Sequence, residues 1–214
     1  MSFDQEKYWI ERHRTHIGDP RSVGTFARSV EDNFEGERQL QLIVSEVARR
    51  LRPAKTVADL GCGYGRIAGQ FIELGYDYTG VDISPDAIEA AKKRHPTANF
   101  VCSTLNAWDP NERFDLVCVL YVFVHFVDQA AWLSFLNAGL GLVKEGGALV
   151  FADEFPEQEQ AYGAHVLCRP MSAYLPILAA NGFVQDSSFA ASLLEATGQN
   201  SAKHFRLFRK QRVR

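Results

Sequence analysis

The chain has 214 residues, 46% of them apolar, 23% charged and 12% aromatic, the mix of a single globular domain that can bury a core without metal or disulfide staples. Lys and Arg number 23 against 26 Asp and Glu, a net charge of −3, which argues against a global electrostatic grip on nucleic acid. Cys62, Cys102, Cys118 and Cys168 show neither a Cys-x-x-Cys spacing nor a zinc-type His pair, so they read as reduced, mostly buried thiols, with no metal site. The N-terminus offers no signal-peptide core, and the apolar run from Leu116 to Val127 is too short to span a bilayer. A cytoplasmic protein that does not engage a membrane is expected.

Residues 1–52 differ in character from residues 53–214 and read as a helical cap or lid belonging to the same domain. After a charged, His-rich start, Leu40, Ile43, Val44, Val47, Ala48 and Leu51 recur at helical spacing, and Pro53 ends that helix. Short apolar strands then alternate with helices. Thr56 to Leu60 predicts a strand, Gly65 to Leu74 a helix, and Asp77 to Asp82 a second strand. Ser84 caps a helix with Pro85 at its first position and Lys92, Lys93 and Arg94 in its last turn. Asn99 to Cys102 and Leu116 to Leu120 predict two more strands, and Asp128 a cap for the helix carrying Trp132, Phe135, Leu136 and Leu140. Ala148 to Ala152 is a fifth strand entered through Gly146-Gly147, and Ser172 is expected to cap a helix closed by Asn181-Gly182. Phe183 to Phe189 and Lys203 to Arg209 show no clear helix between them and predict an antiparallel hairpin. The whole is an α/β chain with a doubly wound, seven-stranded, mostly parallel sheet, an antiparallel strand near its C-terminus and the N-terminal helical cap.

The segment VADLGCGYGRIA carries the most information. A strand ends at Asp59-Leu60, then Gly61, Cys62, Gly63, Tyr64 and Gly65 lead into a helix. Glycines there allow a tight turn and the approach of a ligand to the main chain, at the carboxyl edge where open parallel sheets bind ligands. Asp82 ends the next strand, where a carboxylate accepts ribose hydroxyls. Arg66 stands where a dinucleotide fingerprint places its third glycine, and Asp59 would repel a pyrophosphate but attract an ammonium beside a sulfonium. S-adenosylmethionine is therefore favoured over NAD.

The same stretch resembles the class I S-adenosylmethionine-dependent methyltransferases, as do YTGVDISPDAIEAAKKR, FDLVCVLYVFVHF, LVKEGGALVFADEF and AANGF, in order, over roughly residues 56–210. The resemblance implies the Rossmann-like methyltransferase fold, with Gly61, Cys62, Gly63 and Gly65 shaping the loop around the methionine part and Asp59 beneath it. It implies Asp82 on the ribose, Ile83 over an adenine face, Thr104 and Leu105 lining the adenine, and Leu120 and Tyr121 near the sulfonium. Many relatives have an acid after the third strand to bind the adenine amino group, where this chain reads Cys102-Ser103-Thr104.

Methyl transfer from a sulfonium is an in-line displacement, in which alignment of nucleophile, methyl carbon and sulfur does most of the work. A hydroxyl acceptor also needs a base, and His125, just past the fourth strand, is the candidate. Asp153-Glu154 faces the same sheet edge, and His165 and Arg169 lie in a connection that reaches the pocket mouth. Tyr8, Trp9, Arg12, His13, Arg14 and His16 form a basic and aromatic cluster suited to wall an acceptor site beneath the lid. Such a cluster favours an acceptor that is anionic or sugar-containing. The terminal RLFRKQRVR is basic, but basic side chains also protect an exposed edge strand from pairing. The expected activity is transfer to a small-molecule acceptor, with oxygen favoured over nitrogen and nucleic acid disfavoured. An RNA- or protein-modifying enzyme of the same fold, an NAD-dependent oxidoreductase and a non-catalytic cofactor-binding module remain as alternatives.

Overall fold

A computed structural model describes residues 3–105 and 107–212. Its strands are β1 (Thr56–Leu60), β2 (Asp77–Asp82), β3 (Asn99–Cys102), β4 (Phe114–Leu120), β5 (Val143–Ala152), β6 (Gln160–Ala161), β7 (Leu167–Cys168), β8 (Phe183–Gln185) and β9 (Phe205–Lys210). Seven of them form one sheet in the order β3-β2-β1-β4-β5-β9-β8, and β6 and β7 make a separate small hairpin. The first five pair in parallel, while β9 runs antiparallel to both its neighbours.

The helices are α1 (Gln5–Thr15), α2 (Val30–Arg50), α3 (Ala68–Ile72), α4 (Pro85–Arg94), α5 (Gln129–Gly141), α6 (Met171–Ala180) and α7 (Phe189–Thr197). Strand alternation sorts the core into two layers. Val57, Cys118, Leu120, Val150 and Leu207 point to the face covered by α2, α3, α4 and α7. Ala58, Val117, Val119, Leu149, Phe151 and Phe208 meet Trp132, Phe135 and Leu136 of α5 and Tyr174 and Leu178 of α6 on the other. Each fully buried Leu or Phe contributes about 1.5–3 kcal/mol of transfer free energy, so both faces are held mainly by the apolar effect. Local chemistry sets the ends: the Ser84 hydroxyl accepts from the Ala87 N–H and the Asp128 carboxylate from the Ala131 N–H, as their cap positions require.

The α2 stripe read from the sequence is buried against the sheet, so this helix is a part of the core. Its Glu37 also reaches the glycine-rich loop, accepting from the Tyr64 hydroxyl and, at 3.0 Å, from the Arg94 guanidinium. Gln41 donates to the Arg66 carbonyl at 2.7 Å. The loop is thereby fixed from behind before any ligand arrives.

Several expectations need correction. The helix after the glycine loop is only α3, because Gly65 sits at φ +73°, outside helical space. Pro170, not Ser172, occupies the N-cap of α6, and Ser172 lies within the helix. β5 starts at Val143, so Gly146-Gly147 falls inside it, at a register shift opposite Phe114/Leu116. β8 and β9 are antiparallel as expected, but α7 and a short 3-10 turn, Asn200–His204, intervene. Cys62, Cys118 and Cys168 are buried free thiols, whereas Cys102 is exposed. Of the basic terminus, Val213 and Arg214 lie outside the described residues. No helix among the described residues is long and apolar enough to cross a bilayer.

Candidate active site

The carboxyl ends of β1, β2 and β4 open into a cleft lined by Gly61, Cys62, Gly63, Asp82, Ile83, Leu105, Leu120, Tyr121 and His125, with Trp9 and His13 from α1 closing its top. The glycine loop is shaped by left-handed backbone and close approach together. Gly61 has φ +82° and a Cβ there would lie 2.5 Å from Val122 Cγ2; Gly63 has φ +53° and its Cβ would lie 2.7 Å from Val23 Cγ1. Any larger residue would close the cleft as well as strain the chain.

Asp82 is buried, and each of its oxygens is already oriented by a backbone donor: Gly63 N–H to Oδ2 at 2.9 Å and Ser84 N–H to Oδ1 at 3.0 Å. A carboxylate oxygen has capacity for a second donor, so this group is preset for a vicinal diol. Asp59 lies under the loop and outside the cleft lining, with the Tyr78 hydroxyl donating to it. Burial pushes its carboxyl up to about 6, against the pull of Tyr78 and Arg66. Thr104 does not line the cleft; its carbonyl accepts from the Ala107 and Trp108 N–H groups.

Tyr121, at the end of β4, is a non-glycine residue at φ +59°. Such a conformation costs about 1–3 kcal/mol and persists only when its surroundings impose it. Its N–H donates to the Ala152 carbonyl at 2.7 Å, and its hydroxyl lies 3.4 Å from His204 Nδ1. The turn carries the chain away from the sheet, so that the ring walls the cleft.

His125 ends the 3-10 turn Phe123–His125. Its Nδ1 lies 3.1 Å from the His165 carbonyl, which only accepts, so Nδ1 carries the proton and Nε2 keeps a lone pair. Burial holds this imidazole down to about 4. Trp9 packs edge-on at 4.5 Å between centroids, and His165 lies parallel at 6.3 Å.

A second, wider and more open cavity adjoins the first and shares Trp9, Val23, Arg66, Tyr121 and His125 with it. Tyr8, Arg12, Phe26, Glu154, His165 and His204 line the rest. The expected acceptor residues thus divide. Tyr8, Trp9, Glu154 and His165 are brought together. Arg12 is spent structurally, donating to the carbonyls of Ser22, Arg21 and Gly24 and to the Tyr8 hydroxyl. Arg169 is buried away from both cavities, donating to the Phe126 and Val127 carbonyls and stacked over Trp132. Asp153 is also buried outside them. His13 stands over Asp82 rather than in the wider cavity. Sequence reasoning passed over Gln5, Val23, Arg66, Val122 and Phe126 as lining residues. Arg66 was legible, because it follows the loop's last glycine directly; Val23 depends on a tertiary fold-back of the cap.

Residues 57–147 match the methyltransferase domain family. A ubiquinone biosynthesis O-methyltransferase of Bradyrhizobium sp. (strain ORS 278) is 38% identical over 96 residues, 43% of this chain and 37% of that protein. Its counterpart in Rhodopseudomonas palustris (strain HaA2) is 38% identical over 98 residues, 44% of this chain and 38% of that protein. The match therefore spans well under half of those relatives. Among solved structures, CalS10, an amino pentose methyltransferase from Micromonospora echinaspora with bound S-adenosylmethionine, aligns with TM-score 0.68 at 18% identity, over 86% of this chain and 98% of that one. Magnesium protoporphyrin IX methyltransferase from Synechocystis PCC 6803, also with S-adenosylmethionine bound, aligns with TM-score 0.69 at 17% identity, over 99% of both chains. The sheet order, with its one reversed strand, and the glycine loop define a Rossmann-like methyltransferase fold. Over residues 57–147, less than half of the chain, the sequence matches a methyltransferase domain, and the fold is shared with methyltransferases solved with S-adenosylmethionine bound.

Proposed function

We propose that the chain is an S-adenosylmethionine-dependent methyltransferase acting on a small-molecule acceptor, with oxygen the favoured nucleophile. The observation that carries this reading is the doubly oriented Asp82 carboxylate beside the glycine loop, whose acceptor oxygens suit the ribose hydroxyls of that cofactor. Gly61, Cys62, Gly63 and Gly65 shape the loop, Ile83 and Leu105 supply apolar contact to the base, and Leu120 and Tyr121 wall the reacting end. The cofactor, when bound, supplies an activated methyl group. Asp59 adds a negative field beneath the loop, which favours a cationic ligand above it.

In this reading the acceptor enters through the wider cavity and meets the cleft at the shared wall of Trp9, Tyr121 and His125. His125 Nε2 accepts the hydrogen bond of the acceptor hydroxyl and takes its proton as the methyl group arrives. An imidazole held near 4 is a weak base, which favours an acidic hydroxyl, such as a phenol, over an aliphatic alcohol. Helix α1 acts as the lid, closing over both cavities and excluding water. The relatives named for ubiquinone biosynthesis O-methylation support an oxygen acceptor.

His125→Ala tests the assignment. With phenolic acceptors, kcat should fall about a hundredfold while the affinity for S-adenosylhomocysteine stays within about twofold. A loss of turnover below about threefold would return His125 to a packing role.

A further inference from the structure

His13 is a buried side chain with unmet chemistry. It lines the cleft from above at 4% exposure, and neither ring nitrogen has a hydrogen-bond partner or contact with solvent. Its Nδ1 stands 3.9 Å from Asp82 Oδ1, too far for a direct hydrogen bond. Burial lowers the pKa of the imidazole, outweighing the pull of Asp82, so the ring is neutral, with one donor and one acceptor nitrogen.

We propose that His13 is the lid's ligand for the cofactor ribose, completing with Asp82 a two-sided grip on one hydroxyl. The proposal rests on the cofactor reading above. A hydroxyl oxygen about 2.8 Å from both His13 Nδ1 and Asp82 Oδ1 fits a 3.9 Å gap, donating its proton to the carboxylate and accepting from the imidazole N–H. Asp82 alone cannot fill both roles, because an ionised carboxylate only accepts. The contact would couple the lid to the cofactor. Arg12, the next residue, ties α1 to the carbonyls of Arg21, Ser22 and Gly24, and Val23 between them lines the same cleft. A ligand that engages His13 therefore holds α1 and the 21–24 turn as one unit.

The test titrates S-adenosylhomocysteine and its 2′-deoxy and 3′-deoxy analogues into the wild type, His13→Ala and His13→Asn, with hydrogen exchange followed along α1. The expected result is a loss of affinity of about tenfold for His13→Ala, partly restored in His13→Asn, whose amide keeps a donor and an acceptor. Removing one ribose hydroxyl should weaken wild-type binding clearly and His13→Ala binding much less, and the ligand should slow exchange in α1 of the wild type only. An alanine variant that binds within about twofold of wild type, or that pays the same penalty for each missing hydroxyl, overturns the proposal. A wild type that binds none of the three ligands instead overturns the cofactor reading beneath it.

Discussion

At the scale of single residues, three carboxyl and imidazole groups divide the work by environment. Asp82 is positioned by backbone donors, Asp59 is buried under the loop, and His125 is held neutral. Asp82→Asn keeps one acceptor oxygen but loses the charge, and should weaken S-adenosylhomocysteine binding by about 2–3 kcal/mol in a calorimetric titration. An unchanged dissociation constant in a folded variant would remove Asp82 from the site. Asp59 and His125 give pH signatures of the same sign with different midpoints. A cationic ligand lowers the Asp59 pKa from about 6, so affinity for S-adenosylmethionine should climb as pH rises towards 6 and level off above it. With cofactor saturating, kcat should stay level from pH 8 down to about 5, because the His125 imidazole, with a pKa near 4, remains unprotonated throughout. A fall in kcat centred near 6.5 would point to a different base. These identities were legible in the sequence, since strand ends and glycine spacing fix where Asp59 and Asp82 must stand. The hydrogen bond that sets the His125 tautomer was not, because it comes from a carbonyl in the β6–β7 hairpin.

At the scale of elements, α2 is the strut behind the glycine loop. Replacing Glu37 with Gln keeps the shape but removes the charge facing Arg94 and weakens the acceptor for the Tyr64 hydroxyl. Arg94 is partly exposed, so the expected loss is about 1–2 kcal/mol in urea denaturation, well short of a fully buried pair. A shift of less than a few tenths would show that apolar packing alone holds the loop. The helices placed best from sequence are α4 and α5, each with its cap at Ser84 or Asp128, and α2 with its run from Leu40 to Leu51, while α3 and α6 were found with different starts. Helix α7 escaped because Ser188 makes no cap bond; its hydroxyl and N–H both turn back to the Asp186 carboxylate. Its signals were Phe189 and Leu193 on one face and Gly198 in the left-handed position after its end. In α6, Pro170 already has the extended conformation of a cap, so the preference of Ser172 for that place counts for nothing.

At the scale of the whole molecule, the sheet is pinned at the edge opposite the site. Asp115 accepts from the Lys55 and Thr56 N–H groups and pairs with Lys144, joining the starts of β1, β4 and β5. Burial would raise its carboxyl, but Lys144 and the two N–H groups outweigh this and bring it to about 2. A depressed carboxyl stabilises the fold above its unfolded pKa of about 3.9, and that contribution is lost as pH falls through the folded value. Asp115→Asn should cost about 1–2 kcal/mol at pH 6, discounted for the exposure of Lys144, and clearly less at pH 3. An equal cost at both pH values would assign the effect to geometry rather than charge. Most of the parallel strands were legible because each is an apolar run before a helix signal, whereas their order in the sheet was not read from the sequence. The cap over the site was expected from the resemblance rather than from any pattern, since α1 is held by Arg12 and by aromatic contacts that leave no periodic trace. The cysteines yield a practical consequence of that architecture. Three are buried, two of them in cavity walls, and the fourth, Cys102, is exposed one strand from Asp82, with its partner in the sheet register being Asp82 itself. A thiol-reactive fluorophore would therefore attach first at Cys102 on the unaltered protein, at the rim where the ribose is expected. Every step of ligand entry and departure could then be followed by light, without engineering a reporter into the chain.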